Sequence, residues 1–193
     1  MARATASFEH TEFLIRRKFF TFLGATFHVF DPAGNLLLTS RQKAFRLKED
    51  IRVFGDADLQ DERMLIRARQ IVDFSAAYDV VDAPSGVKIG ALRRKGWRSI
   101  MRDSWEFLDE DDRPVAQLTE DSLFKAMLRR FLSNLIPQTF NAVCDGRVVA
   151  TFKQRFNPIV FKLDVTVTEP TRLTPDLALA AAILLVAIEG RPQ

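Results

Sequence analysis

The sequence has very few of the residues that build most catalytic and metal centres. Its 193 residues include two histidines, His10 and His28, and one cysteine, Cys144. No HExxH, CxxC, GxSxG, Walker A or GxGxxG pattern occurs, and the corresponding chemistries need their residue types at those spacings. A lone cysteine cannot form an intramolecular disulfide, which is typical of a reducing compartment. We therefore predict a protein that is not an enzyme and that binds no metal or cofactor.

Long apolar segments are also lacking. The longest apolar run, residues 177–188, has 12 residues, whereas a bilayer-spanning helix needs about 20. Near the N-terminus, Glu9 and Glu12 occupy positions where a secretory signal would have its apolar core. These observations predict a cytoplasmic protein with a flexible N-terminal tail over residues 1–12 and a single domain over residues 13–193.

Phenylalanine, by contrast, is abundant. The chain has 17 Phe against one Tyr and two Trp, and 47% of its residues are hydrophobic. A phenylalanine ring has no polar atom and suits a closed interior without hydrogen-bond partners. We expect Phe27, Phe140, Phe152 and Phe161 to point inward on strands.

The pattern along most of the chain is that of short strands separated by turns. Residues 159–167 are the clearest case, because apolar residues fill every odd position and Lys162, Asp164 and Thr166 share the other face. Twelve strands are predicted, over residues 13–20, 25–30, 36–41, 51–54, 65–71, 76–81, 87–93, 99–108, 115–118, 139–144, 147–153 and 159–167.

Several predicted turns begin with Asp and reach Gly, as at residues 31–34, 82–86 and 145–146. An Asp side chain can accept hydrogen bonds from the turn backbone, and Gly adopts positive φ without strain. Asp145-Gly146 predicts a type I′ hairpin. The acidic turn at residues 109–114 lacks the glycine and final glutamate of an EF-hand, and we interpret it as a solvated hairpin tip.

These turns belong to a repeat of turn, apolar strand, basic pair and aromatic residue. Its three copies begin at Gly34, Gly86 and Gly146, 52 and 60 residues apart. The basic residues are Arg41 and Lys43, then Arg93, Arg94 and Lys95, then Lys153 and Arg155. They end the third, seventh and eleventh predicted strands, which run the same way in an up-and-down sheet, so we expect three basic clusters on one rim. The alternative is that strand ends are simply polar.

Two helices are predicted. Residues 121–135 form an amphipathic helix with an apolar stripe and a basic face, which could lie on a membrane or pack against the sheet. The second helix has Thr174 as its cap, Pro175 at its first position and Gly190 after its end. It has no polar face and must be buried all round. The predicted fold is therefore mainly β (α+β): a closed antiparallel barrel of about twelve strands around a buried hydrophobic C-terminal helix.

The sequence resembles the phospholipid scramblase-like and LURP-one-related proteins of the Tubby C-terminal superfamily. The resemblance lies in residues 27–35 (FHVFDPAGN), residues 78–82 (YDVVD) and the apolar helix over residues 176–189, and it extends over roughly residues 13 to 190. It implies a twelve-stranded barrel around a buried C-terminal helix and, for Tubby-type domains, binding of phosphoinositide head groups by basic residues. The sequence lacks the cysteine-rich segment and calcium loop of scramblases, which argues against lipid translocation.

The functional prediction is a peripheral module that binds anionic lipid at the inner membrane face. Clusters of four to eight basic residues are typical of such sites. The candidate lipid-binding residues are Arg41, Lys43, Arg93, Arg94, Lys95, Trp97, Arg98, Arg102, Lys153 and Arg155, with Trp97 as an interfacial anchor. Alternatively, the six acids from Asp103 to Asp112 neutralise the central cluster across a hairpin, or the basic surface binds a protein or nucleic acid. The low net charge of +3 makes nucleic acid the weaker alternative.

Overall fold

The computed structural model describes residues 9–18, 24–43, 50–69, 76–95, 104–120, 138–157 and 160–189. Twelve strands precede one helix. The strands are β1 Glu12–Lys18, β2 Gly24–Phe30, β3 Leu36–Lys43, β4 Ile51–Phe54, β5 Glu62–Ala68, β6 Ala77–Asp82, β7 Lys88–Lys95, β8 Ser104–Leu108, β9 Pro114–Glu120, β10 Thr139–Cys144, β11 Arg147–Arg155 and β12 Val160–Val167. The helix is α1, Pro175–Glu189.

The strands form one closed antiparallel barrel in which each strand pairs with its neighbours in sequence. The barrel closes where β1 pairs with β12, in a register from Glu12 opposite Thr166 to Lys18 opposite Val160. This closure leaves no free sheet edge among the twelve strands. The predicted fold class is confirmed.

Alternation along the strands places the apolar side chains inside. In β12, Phe161, Leu163 and Val165 are buried and the residues between them are partly exposed. Each of the four phenylalanines predicted to point inward belongs to the core, with Phe27 and Phe152 fully buried. The prediction that these four phenylalanines point inward is therefore confirmed.

Helix α1 belongs to this core over residues 177–187. The Thr174 hydroxyl accepts a hydrogen bond from the backbone N–H of Leu177 at 3.4 Å, so Thr174 caps the helix as predicted. Every residue from 177 to 187 is buried, and Ala180, Ala181 and Ala182 keep the middle of the helix narrow. At Gly90 of β7, an added Cβ would lie 3.3 Å from the Leu177 methyl groups and 2.4 Å from the Leu108 carbonyl oxygen. A side chain at position 90 would therefore clash with the backbone of β8 and crowd the Leu177 side chain of the helix.

The two ends of the barrel differ in their connections. One end, the turn rim, carries the connections at residues 31–35, 55–61, 83–87, 109–113 and 145–146 and the link to α1 at residues 168–174. Each of the five hairpins at this rim has a bulge or register shift close to its turn, which increases local twist. The opposite end, the basic rim, is where β1, β3, β5, β7, β9 and β11 finish.

The predicted threefold repeat is visible in the barrel. Its copies are the hairpins β2–β3, β6–β7 and β10–β11, which lie four strands apart around the closed ring. The turn glycines Gly34, Gly86 and Gly146 have φ of 90°, 69° and 75°. Asp145 also has positive φ, as a type I′ turn requires. The repeat therefore divides the barrel into thirds.

Some boundaries and elements differ from the predictions or fall outside the description. The fifth strand begins at Glu62, whereas the sequence predicted a start at residue 65. The polar residues at the beginning of this strand resemble a turn in the sequence, and only their pairing with a partner strand shows that they are extended. The predicted helix at residues 121–135 lies outside the described residues, as do residues 1–8 of the predicted tail.

Candidate functional site

Charge is divided between the two ends of the barrel. The six connections at the turn rim contain ten acidic residues and two basic ones, Arg113 and Arg172. At the basic rim, the last three residues of the six odd-numbered strands and the first three of the six even-numbered strands include thirteen Lys or Arg and three acids, Asp79, Glu106 and Glu120. The small net charge of +3 therefore conceals a strong separation of charge along the barrel axis.

The basic pairs predicted from sequence lie at the basic rim. Arg41 and Lys43 end β3, Arg93, Arg94 and Lys95 end β7, and Lys153 and Arg155 end β11. Strands a third of the ring apart in a twelve-stranded barrel are separated by about 20 Å. The fold thus brings the three clusters to one rim and not to one patch. Trp97, Arg98 and Arg102 lie outside the described residues.

Two of these arginines are tied to acids on the neighbouring strand. Arg93 donates to one carboxylate oxygen of Glu106 through Nε at 3.0 Å and Nη2 at 2.6 Å. Arg155 bonds both oxygens of Asp164, at 2.5 and 2.7 Å, and this carboxylate raises the pKa of the guanidinium. Glu106 is one of the six acids expected to neutralise the central cluster. Cross-strand neutralisation is therefore real at Arg93.

Four more acids of that group, Asp109, Glu110, Asp111 and Asp112, belong to the β8–β9 turn at the turn rim, and Asp103 lies outside the described residues. Asp109 accepts hydrogen bonds from the backbone N–H groups of Asp111 and Arg113, at 3.0 and 2.8 Å, and Arg113 also bonds Asp109 and Asp111 through its guanidinium. The Arg113 backbone is the main cause that lowers the pKa of Asp109. The turn itself bonds the Asp109 and Asp111 carboxylates, and the described residues contain no group of three or more His, Cys, Asp or Glu arranged to hold a metal.

The end of β11 is an accessible basic group at the basic rim. Lys153 is exposed, and it makes no ion pair within the described part of the chain. Phe156 directly follows Arg155 and is 58% exposed, more than any other large hydrophobic side chain described. Phe156 is therefore an exposed aromatic at the same strand end as Lys153, a cation without an ion pair in the described chain, and this arrangement is found at membrane interfaces.

Arg17, near the basic rim, has a structural task. Its position in β1 follows the outward-facing Arg16, so it points inward, and its Nη1 donates to the Val186 carbonyl oxygen of α1 at 2.9 Å. The last turn of α1 contains no basic residue of its own, and a helix C-terminus carries about half a negative charge. One cation is sufficient for that charge, so the helix does not account for the other basic residues of the rim.

A ring of four charged side chains lies on the outer wall around β5–β7. Arg69 contacts Asp79 at 2.5 Å and Asp112 at 2.6 Å, while Lys88 contacts the same two carboxylates at 3.8 and 2.8 Å. The hydrogen bond from Arg69, followed by that from Lys88, lowers the pKa of Asp112. A groove of about 570 Å³ adjoins the ring. These four charges neutralise one another. Because Asp112 belongs to the β8–β9 turn, its contacts with Arg69 and Lys88 hold this turn against the outer wall of the barrel.

The sequence predictions did not include the outward residues of the first and last strands. Arg16 and Lys162 become neighbours only when β1 pairs with β12. Residues 16–18 form a basic strand end like those of the repeat, and this signal could have identified β1 as part of the same rim. Phe156 is the aromatic residue of the third copy of the repeat but is not among the predicted site residues.

Comparison with known proteins gives a family for the chain. The family model described as LURP-one-related matches residues 36–187, which begins with β3, extends into α1 and includes the three basic strand ends of the repeat. No curated protein matches the chain. No helix in the described part of the chain is both long enough and apolar enough to cross a membrane.

Proposed function

The chain belongs to the LURP-one-related family, and from that premise we propose that it is a non-enzymatic module that docks its basic rim on an anionic membrane surface. The observation that carries the proposal is the separation of charge between the two ends of one barrel. Such docking would hold the protein as a peripheral component at the inner face of a membrane.

The charge separation favours one orientation. Each Lys or Arg near an anionic leaflet contributes about 1 kcal/mol, and this attraction decays over a Debye length of about 8–10 Å. The nine residues of β11 span about 30 Å at 3.3 Å per residue, although strand tilt shortens this distance along the axis. With the basic rim on the surface, the acidic turn rim lies beyond the reach of the surface potential, so its repulsion is screened.

Phe156 favours a membrane over a nucleic acid or protein partner. Its ring is exposed next to Arg155 at the rim, where it can enter the boundary between head groups and acyl chains while the cations remain at the phosphate level. The basic clusters are also spread around a rim and not aligned in a groove, and a flat surface can contact all of them at once.

The test is co-sedimentation with vesicles of phosphatidylcholine, with or without phosphatidylserine, at low and high salt. We expect binding only to the phosphatidylserine vesicles, with weaker binding as salt rises. Lys153→Glu lowers the charge of the basic rim by two units and should weaken binding by about 10- to 30-fold. The matched control is Arg147→Glu, the same charge reversal at the other end of β11, which should leave binding unchanged.

Three results would contradict this proposal. Equal binding to neutral and anionic vesicles would show that the basic rim is not the determinant. Equal losses in Lys153→Glu and Arg147→Glu would show that net charge matters and orientation does not. Binding to a single-stranded oligonucleotide under conditions where vesicles are not bound would favour a nucleic-acid partner. Lys153 is preferred to Arg93 for this test because Arg93 is bonded to Glu106.

A further inference from the structure

The turn rim carries one exposed apolar side chain in each copy of the threefold repeat. Leu36, Val87 and Val148 each lie one or two residues after the turn glycine of their hairpin, and they are 44%, 48% and 45% exposed. Among the described residues, Phe156 is the one other large hydrophobic side chain that is exposed to this degree. Single exposed hydrophobic residues are common on protein surfaces, but three at equivalent positions of one rim indicate a surface that contacts a partner.

Acidic connections alternate with these apolar positions around the ring. Eight of the ten acids at the turn rim lie in the connections at residues 55–61, 109–113 and 168–174, and each of these connections lies between two of the apolar positions. Asp58 and Glu110 are exposed and form no ion pair within the described part of the chain. The rim therefore repeats apolar and acidic positions with a period of one third of the ring.

The basic rim repeats with the same period. Its three clusters end β3, β7 and β11, which are the strands that begin beside the three apolar positions. Neighbouring clusters are therefore about 20 Å apart, as are neighbouring apolar positions at the other end. At the end of β11, Lys153 and Phe156 are both exposed. One rotation about the barrel axis thus faces the three basic clusters of one barrel with the three acidic connections of another.

The end of the barrel is large enough for a specific contact. A closed barrel of twelve strands, about 4.8 Å apart and tilted by about 40°, has a backbone diameter of roughly 24 Å, and side chains widen its end to about 30 Å. A disc of that width has an area of about 700 Å², so two ends in contact bury roughly 1,400 Å² in total, which is the size of a standard specific interface.

We infer that barrels of this protein stack head to tail, with the turn rim of one copy docked on the basic rim of the next. Opposite charges attract these two rims, whereas contact between two turn rims or two basic rims would bring like charges together. The contact joins two different surfaces, so it is heterologous and leaves a free rim at each end of a stack. Stacks of more than two barrels can therefore form.

Stacking does not rest on the proposed membrane contact, although it uses the same basic rim. A barrel whose basic rim lies on a membrane still presents its turn rim to a second copy, and a barrel in solution can engage both rims. Stacking is tested without lipid, and vesicle binding is tested by co-sedimentation. Either proposal can therefore fail while the other stands.

Sedimentation equilibrium of the full chain, up to millimolar concentration and at low and high salt, measures the association. At low salt we expect the average mass to rise with concentration beyond that of two chains, and to fall toward that of one chain as salt is added. An average mass that levels off at two chains would overturn the proposal, because a closed dimer has no free rim. A single-chain mass at every concentration would also overturn it.

Two charge reversals on β11 test which rims meet. Lys153→Glu removes positive charge from the basic rim and should weaken self-association by about fivefold or more. Arg147→Glu, at the other end of the same strand, adds negative charge to the turn rim and should strengthen it. Both variants have the same net charge, so effects of the same sign would show that net charge, and not the pairing of opposite rims, controls association.

A mixture of two variants tests the head-to-tail geometry itself. The turn-rim variant combines Val87→Lys with Glu110→Lys, and the basic-rim variant combines Lys153→Ala with Phe156→Ala. All four native side chains are exposed, so both variants should fold, which circular dichroism checks. Each variant alone should remain a single chain, because it retains one functional rim. An equimolar mixture should form a two-chain complex and no longer stack. Stacks in either variant alone, or no complex in the mixture, would reject the inference.

Discussion

At the scale of single residues, Arg17 joins the barrel to its central helix. Arg17 lies next to Arg16 in the chain, yet the two side chains point to opposite faces of β1 and have different roles. The inward one reaches the Val186 carbonyl at 2.9 Å and lies 5.5 Å from the centre of the Phe27 ring. Strand alternation thus converts two adjacent arginines into a helix cap and a surface group.

Replacing Arg17 with methionine should destabilise the fold without removing apolar volume. The change leaves the carbonyls at the end of α1 without this donor and its charge, and we expect a loss of about 1–2 kcal/mol in the free energy of unfolding. Urea unfolding followed by circular dichroism measures it. Arg67→Met, on the outer face of β5, should change stability by less than about 0.5 kcal/mol. Equal effects of the two changes would show that Arg17 does not cap the helix.

At the scale of elements, hairpins and their packing explain why the prediction of the fold succeeded. Alternation in strands such as β12 and the Asp–Gly turns are local signals, so strand number, turn type and the buried helix followed from the sequence. Register is not local: Arg16 meets Lys162 from opposite ends of the chain. For the same reason, the contact between Arg69 and the β8–β9 turn had no signal in the sequence.

The attachment of the β8–β9 turn to the wall should depend on pH. Hydrogen bonds from Arg69 and Lys88 lower the pKa of Asp112 below its ordinary value of 3.8. As pH falls, the Asp112 carboxyl is therefore protonated first in the unfolded chain. The stabilisation by its ion pairs is complete above the ordinary pKa of 3.8 and is lost as pH falls through the lower pKa of the folded state. Asp112→Asn should reduce the free energy of unfolding at neutral pH by about 0.5–1 kcal/mol, a surface-pair magnitude because the side chain is partly solvated.

Urea unfolding at neutral pH and at about pH 3 and pH 2 measures this dependence. The difference between wild type and Asp112→Asn should shrink as the solution is acidified. Asp58→Asn serves as the control, since no ion pair of the Asp58 carboxylate is found within the described chain, and it should show no such convergence. If the difference in free energy of unfolding between the wild type and Asp112→Asn stays constant with pH, the four-residue ring does not act through the Asp112 charge.

At the scale of the whole molecule, the threefold repeat and the charge separation have one origin. Each copy begins with a turn that contains or follows an Asp and ends with a basic pair, and antiparallel order places all turns at one rim and all pairs at the other. The sequence predicted the common rim. It could not show that the clusters lie at thirds of a ring, because that distance depends on closure of the barrel.

This arrangement predicts which end of the barrel touches a membrane. In a Cys144→Ser background, Phe156→Cys places a single labelling site just beyond the end of β11, and Val148→Cys places one near its start. The native side chains at positions 156 and 148 are 58% and 45% exposed, respectively. A polarity-sensitive dye at position 156 should shift to the blue on phosphatidylserine vesicles, and the same dye at position 148 should not. Shifts of equal size at both positions would contradict docking through the basic rim.

The closure of β1 on β12 also determines when the protein can fold during synthesis. Residues 12–18 emerge from the ribosome early, but their partners at residues 160–167 are translated later, after roughly 7–30 s at 5–20 residues per second. Helix α1, which fills the barrel, is made after every strand. The nascent chain therefore carries an unpaired first strand and an unfilled interior until translation passes α1, and chaperones have that interval in which to protect it.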